Sequence, residues 1–181
     1  MGGAGAAIAD TPSGGPVFAD AVRWVIDVAE GGAHLVTDQG GLTRWGISQR
    51  AYPDLDPSKL TRAEAEALYL RDYWKPIKGN ALPPALALVL FDAAVNLGPA
   101  QAVKILQACL RVRQDGVMGP ETVSAAKVYL PRAEAVALFL ELRLRFYESL
   151  AQKYAHHLSS LYGWRMRVMR LALEAGRWRG L

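Results

Sequence analysis

The chain has 181 residues, 51% of them hydrophobic and 21% charged, which is enough to bury a real core in one domain, or one domain of two lobes, and excludes extended disorder. The formal net charge of +4 is uneven, because from Arg143 onward eight basic residues face two acidic ones; that bias suits nucleic acid, an anionic membrane or an anionic wall polymer, or else a solvated helix face. A single cysteine, Cys109, excludes an internal disulfide, and its apolar run "AVKILQACL" marks it as a small buried hydrophobe.

The first sixteen residues, "MGGAGAAIADTPSGGP", are rich in Gly, Ala, Ser and Pro and read as a flexible arm over 1–16. They lack the basic start and continuous apolar core of a secretory signal, so synthesis in the cytoplasm without a signal peptide is expected. From Val17 to Ala29, apolar residues at Phe18, Val22, Val25 and Val28 recur every three to four positions, predicting an amphipathic helix. Gly31 and Gly32 then supply a left-handed cap. The segment 33–55, with "HLVTDQGGLTRWGIS", mixes β-formers with turn residues and predicts a short hairpin or irregular ribbon.

Helices return downstream. In "LTRAEAEALYLRDYW" the Thr61/Glu64 spacing is that of a capping box. "PPALALVLFDAAVNLG" opens on prolines and stops at Gly98, and its run "ALALVL" is too short to span a bilayer. A fourth helix covers "PAQAVKILQACLRV", and Asp115-Gly116 marks a turn before a helix with Pro120 near its start. The run from Pro131 through "YAHHL" is helical without a breaker, so the adjacent His156 and His157 are expected to point apart at the surface. "GWRMRVMRLALEAGRW" reads as the last helix. The prediction is a mostly α protein with one small β excursion after Glu30. Three histidines and one cysteine give no metal spacing, and neither metal nor cofactor is expected.

Glu30 invites a chemical reading. It ends the first helix, where the macrodipole is negative and the last carbonyls are unpaired, so an ionised carboxylate is disfavoured. Burial against Val28, Leu35 or Trp45 would act in the same direction. Both effects suit a general acid near neutral pH, and the glycines leave room for a bulky substrate. Asp38 follows across a turn, and Thr43 adds a hydroxyl. An acid, a carboxylate and a water-holding hydroxyl are the parts that hydrolyse a glycosidic bond. The blander alternatives are a helix-capping segment that happens to hold Glu30, and Asp38 as a turn residue before glycines.

"EGG" followed by "DQGGLTRWGIS" resembles the signature of glycoside hydrolase family 108, roughly E-G-G and then D-P-G-G-x-T-x-x-G-I-[ST]. Asp38, Gly40, Gly41, Thr43, Gly46, Ile47 and Ser48 stand at matching positions, while Gln39 replaces a proline and Ala33-His34 replace an aromatic. "YWKP" and "FDAAVNLG" are similar to two later family segments, and "DGVMGPET" and "GWRMRV" resemble the peptidoglycan-binding region that accompanies it, with Met166 where asparagine is common. The resemblance spans about residues 18–170. It implies a lysozyme-like helical bundle with a β-hairpin beside the catalytic Glu: a catalytic lobe over 17–98 and a peptidoglycan-binding-like lobe over 99–181, packed in one unit.

The resemblance further implies an N-acetylmuramidase that cuts the β-1,4 bond between N-acetylmuramic acid and N-acetylglucosamine, with Glu30 as general acid. Asp38 and Thr43 would then position or activate water, as in inverting phage lysozymes. Inversion wants the two carboxyls roughly 6.5–9.5 Å apart. Trp45, Tyr52, Tyr73 and Trp74 are candidates to stack on sugar, or core residues. Asp92 and Asn96 share a helix face and are candidates to line the cleft, or to bond a loop such as 43–46. Trp164 is expected to lock the last helix. The expected partner is peptidoglycan, not nucleic acid, since no binding motif accompanies the charge; a monomer is expected, with the basic C-terminus drawn to the anionic wall or to lipid. The expected setting is a phage endolysin that reaches the periplasm through a holin. A non-catalytic peptidoglycan-binding or secretion-accessory protein of the same fold is the alternative.

Overall fold

The structure is a computed structural model that describes residues 14–38, 41–128 and 132–178. The expected arm lies outside the described residues up to position 13, and its last residues already belong to structure, because helix α1 runs Gly15–Trp24. Among the described residues seven α-helices follow one another: α1, α2 (Arg62–Tyr69), α3 (Pro84–Leu97), α4 (Pro99–Leu110), α5 (Pro120–Val128), α6 (Arg132–Lys153) and α7 (Leu158–Ala175). The β excursion is a three-stranded antiparallel sheet of β1 (Val36–Asp38), β2 (Gly41–Arg44) and β3 (Ile47–Ser48), in the order β1-β2-β3.

The centre of the molecule is α3. Its residues Ala85 to Ala94 are all buried, as a helix that is apolar all round must be. It packs against α1, α4, α6 and α7, and residues from all five helices share one apolar core. Proline at its start suits the first turn, where no backbone donor is needed. At α2 the predicted capping box is complete: the Thr61 side chain accepts from the Glu64 amide, and Glu64 accepts from the Thr61 amide at 2.8 Å.

Two helices end in widened π-turns. Residues Val25–Ala29 continue α1, so that the Glu30 amide bonds back to Val25 O at 2.9 Å, and Leu70–Trp74 extend α2 in the same way. Gly31 and Gly32 both have positive φ, and the Gly32 amide closes the cap on Ile26 O at 2.8 Å.

At the C-terminal end the long predicted helix breaks earlier than expected. Tyr154 is extended (φ −132°), residues 155–157 form a 3-10 turn, and α7 then runs straight through Gly163. His156 and His157 therefore do not point apart; their rings lie 4.1 Å from each other. A tight turn, not a helix, sets their directions.

Candidate active site

The site is built where the end of the first helix meets the sheet and α7. In the sheet, Thr43 is central: it pairs with Val36 on one side and Ser48 on the other, while Asp38 pairs with Gly41. β2 turns into β3 through Trp45 and Gly46, whose φ values of 56° and 75° make a two-residue turn with both residues left-handed. Trp45 is an uncomfortable residue for that conformation. It is held there by its indole N–H donating to Leu60 O (3.2 Å) and by the Tyr69 hydroxyl donating to its carbonyl (3.0 Å). The arrangement brings the backbone of Gly46 against Glu30. A Cβ at Gly46 would stand 2.6 Å from Glu30 Cγ and closer still to the Tyr69 hydroxyl.

Glu30 is 23% exposed, and Arg167 from α7 donates to its Oε1 at 2.6 Å. Among the described residues no donor reaches the second oxygen, Oε2. Of the three residues expected to bury Glu30, Val28 and Leu35 are themselves 46% and 51% exposed, and Trp45 is half-buried. The neighbours of Glu30 are instead Gly46, Tyr69 and Arg167. Burial raises the Tyr69 hydroxyl above its ordinary range, and the Glu30 charge adds to this.

Arg167 is held in turn by Asp92. Its Nε donates to Asp92 Oδ1 at 2.9 Å, and Arg143 donates to Oδ2 at 2.6 Å, with Asp92 and Arg143 both fully buried. Burial alone would push the Asp92 carboxyl up, but the two guanidinium groups outweigh it and hold it below the usual carboxylate range. Burial likewise works against the charge of Arg167, and Asp92 and Glu30 more than restore it. The chain continues from Arg143 Nε to the Tyr147 hydroxyl (2.9 Å), which donates to Asn96.

Several expected binding residues have other occupations. Asp92 bonds neither sugar nor the 43–46 loop, because both its oxygens are taken by arginines in a site closed to solvent. Trp74 is 1% exposed and packs edge-on against Phe91, so it is a core residue and not a stacking surface. Tyr52 is half-buried, with its hydroxyl donating to Asp72 at 2.8 Å. Trp45 is the turn residue described above. Asn96 is half-buried, and its amide N–H₂ makes no hydrogen bond among the described residues. Thr43 Oγ1 is buried without a hydrogen-bond partner among the described residues. Of Asp38 only the backbone is described. No group of three or more His, Cys, Asp or Glu able to hold a metal occurs among the described residues.

Arg167, Arg143 and Tyr69 carry no local signal in the sequence that marks them as site residues. The first two were visible only as members of a basic tail, 137 and 51 residues from the carboxylates they bind.

Fold and site together define a lysozyme-like, mostly helical protein that presents a carboxylate at a widened helix end beside a small antiparallel sheet. Residues 23–98 match the family described as Glycosyl hydrolase 108, and residues 101–169 match the one described as Predicted Peptidoglycan domain. The solved structure described as "Structure of Brucella abortus SagA" is 29% identical, covering 91% of this chain and 98% of that one with a TM-score of 0.74. No curated protein matches. Residues 23–98 thus form a glycosyl hydrolase 108 part, with the peptidoglycan domain behind it. It is a glycoside hydrolase that acts on peptidoglycan. The candidate site draws on both parts, with Glu30 from the first and Arg167 from the second.

Proposed function

We propose that the protein cleaves the β-1,4 bond between N-acetylmuramic acid and N-acetylglucosamine, with Glu30 as general acid. The observation that carries this reading is the divided state of the Glu30 carboxyl: Arg167 pins Oε1 at 2.6 Å, while Oε2 has no donor among the described residues. The free oxygen delivers the proton to the leaving glycosidic oxygen. The carboxylate left behind binds Arg167 more strongly than the acid does, so the guanidinium stabilises charge that develops in the transition state. Glycan lying over the carboxyl removes water from the site, so the proton passes to the leaving oxygen and not to solvent.

Asp38 and Thr43 position or activate the attacking water on the opposite face of the sugar. The buried, unpartnered Thr43 hydroxyl supports this role, since such a group needs a partner. Attack from that face inverts the anomeric carbon, so the first product is the α-anomer. Proton NMR of the initial product distinguishes it from the β-anomer that retention would release.

The deciding experiment digests purified Gram-negative peptidoglycan with the wild type and Glu30→Gln, and identifies the new reducing ends by mass spectrometry. N-acetylmuramic acid ends from the wild type, with activity lower by about 100-fold or more in the variant, are expected. Equal activity of the two removes Glu30 from the mechanism, and N-acetylglucosamine ends refute the bond assignment. The Glu30–Arg167 pair also fits a wall-binding protein whose carboxylate is structural; absence of any new reducing end would favour that. As an endolysin the protein would lyse cells only when a holin is co-expressed.

A further inference from the structure

Two separate stretches of backbone set where the Glu30 carboxyl stands. One is the widened turn over Val25–Ala29, which ends at Glu30. The other is the left-handed turn of Trp45 and Gly46, whose backbone lies against the Glu30 side chain. Neither is a conformation that the chain keeps unaided. A single widened turn within an α-helix is rare, and relaxing it to α geometry would swing Glu30 by about 100° around the helix axis. Trp45 holds a backbone that only glycine adopts freely.

Arg62, the first residue of α2, reaches both turns. Its terminal nitrogens fork onto Asp27 inside the widened turn, with Nη1 2.8 Å from Oδ1 and Nη2 3.0 Å from Oδ2. The guanidinium carbon also lies 5.8 Å from the centre of the Trp45 ring, within reach of a cation–π contact. Nε donates to Glu66 one turn along α2 (2.9 Å), which fixes the plane of the fork. The start of α2 is itself held, since the Thr61/Glu64 box caps it and Leu60 accepts from the Trp45 indole. Among the described residues Arg62 bonds neither Glu30 nor Gly46. An isolated exposed ion pair contributes little, but this one is bidentate and belongs to a network that joins two elements.

We propose that Arg62 is a positioning residue for the hydrolysis: it clamps the turn that carries Glu30 to the turn that abuts it, and so fixes the place of the carboxyl without touching substrate. The inference rests on Glu30 being the general acid. Acting through geometry, Arg62 governs turnover and not substrate binding, because a misplaced acid loses transition-state stabilisation while the glycan contacts stay in place.

Steady-state kinetics on a soluble glycan, taken well below the melting temperature of each variant, test the clamp. The Arg62 and Asp27 side chains are 38% and 41% exposed, so their variants keep a folded core. Arg62→Gln and Asp27→Ala should each lower kcat about tenfold or more with KM within about twofold. The double variant should be no slower than Arg62→Gln alone, since without Arg62 the Asp27 carboxylate has nothing to hold. Arg62→Lys should recover little, because an ammonium cannot fork. Arg23→Gln, which breaks a surface pair with Asp20 on α1, should leave kcat unchanged. In nitrogen-15 spectra of Arg62→Gln the amide signals of Glu30 and Gly46 should shift. A kcat near that of the wild type in either single variant or in Arg62→Lys, a raised KM with kcat unchanged, losses that multiply in the double variant, an equal loss in Arg23→Gln, or unmoved Glu30 and Gly46 amides would each overturn the proposal. Failure of the acid assignment shows separately, as Glu30→Gln digesting wall like the wild type; an inactive Glu30→Gln beside a fully active Arg62→Gln refutes the clamp alone.

Discussion

Arg167 pairs with Glu30 at 2.6 Å, the residue proposed as general acid. If the guanidinium serves mainly to stabilise the carboxylate formed in the transition state, Arg167→Gln should lower kcat by about 100-fold, with KM changed little. Arg167→Lys should recover only part, because an ammonium cannot fork between Glu30 and Asp92 as the guanidinium does. Steady-state kinetics on a soluble glycan separate this from a binding role, which would raise KM instead. Gly46 is constrained twice, by its left-handed φ of 75° and by Glu30 Cγ at 2.6 Å from any added Cβ. Gly46→Ala should cost about 1–3 kcal/mol in urea denaturation and also displace the Glu30 carboxyl, lowering turnover if Glu30 is the acid.

At the scale of elements, α3, α6 and α7 are tied by Asp92, whose carboxyl is held below its ordinary range in the folded chain. A group depressed on folding contributes stability above its unfolded pKa, near 4, and loses it as pH falls through the lower folded value. The wild type should therefore lose stability below about pH 4, and the acid limb should be shallower in Asp92→Asn. That variant should also be weaker at neutral pH by about 3–5 kcal/mol, since Arg143 is left buried without its partner. Melting temperature followed against pH measures both. The same elements explain what was legible in the sequence. Periodicity, prolines and the Thr61/Glu64 box located most helices, because these signals are local. The widened turn over Val25–Ala29 was not legible, since five residues cannot distinguish one helical period from another. Nor were the partners of Glu30 and Asp92, which come from chain far away; a buried aspartate at position 92 announced only that some partner was needed. The left-handed turn at Trp45 was not legible for a related reason: it depends on Leu60 and Tyr69, which local sequence does not contain.

Over the whole molecule, the family boundary near residue 100 divides the sequence but not the core. Ala85 to Ala94 face α4, α6 and α7 as well as α1, so cutting after Gly98 would strip apolar cover from the most buried helix. It would also remove Arg143 and Arg167, leaving Asp92 without either counter-ion and Glu30 without its clamp. Transfer of so much apolar surface into water cannot be offset within a fragment of that size. The full chain should accordingly unfold in one cooperative transition, with calorimetric and van't Hoff enthalpies in agreement. A fragment of residues 14–98 should show no cooperative melting and no release of reducing ends from peptidoglycan. Two resolved transitions in the full chain, or a fragment that melts cooperatively and still depends on Glu30 for activity, would mean that the second part is an appended binding module. One transition together with an inert fragment would mean that the peptidoglycan domain is a structural half of the hydrolase, contributing Arg167 to its site.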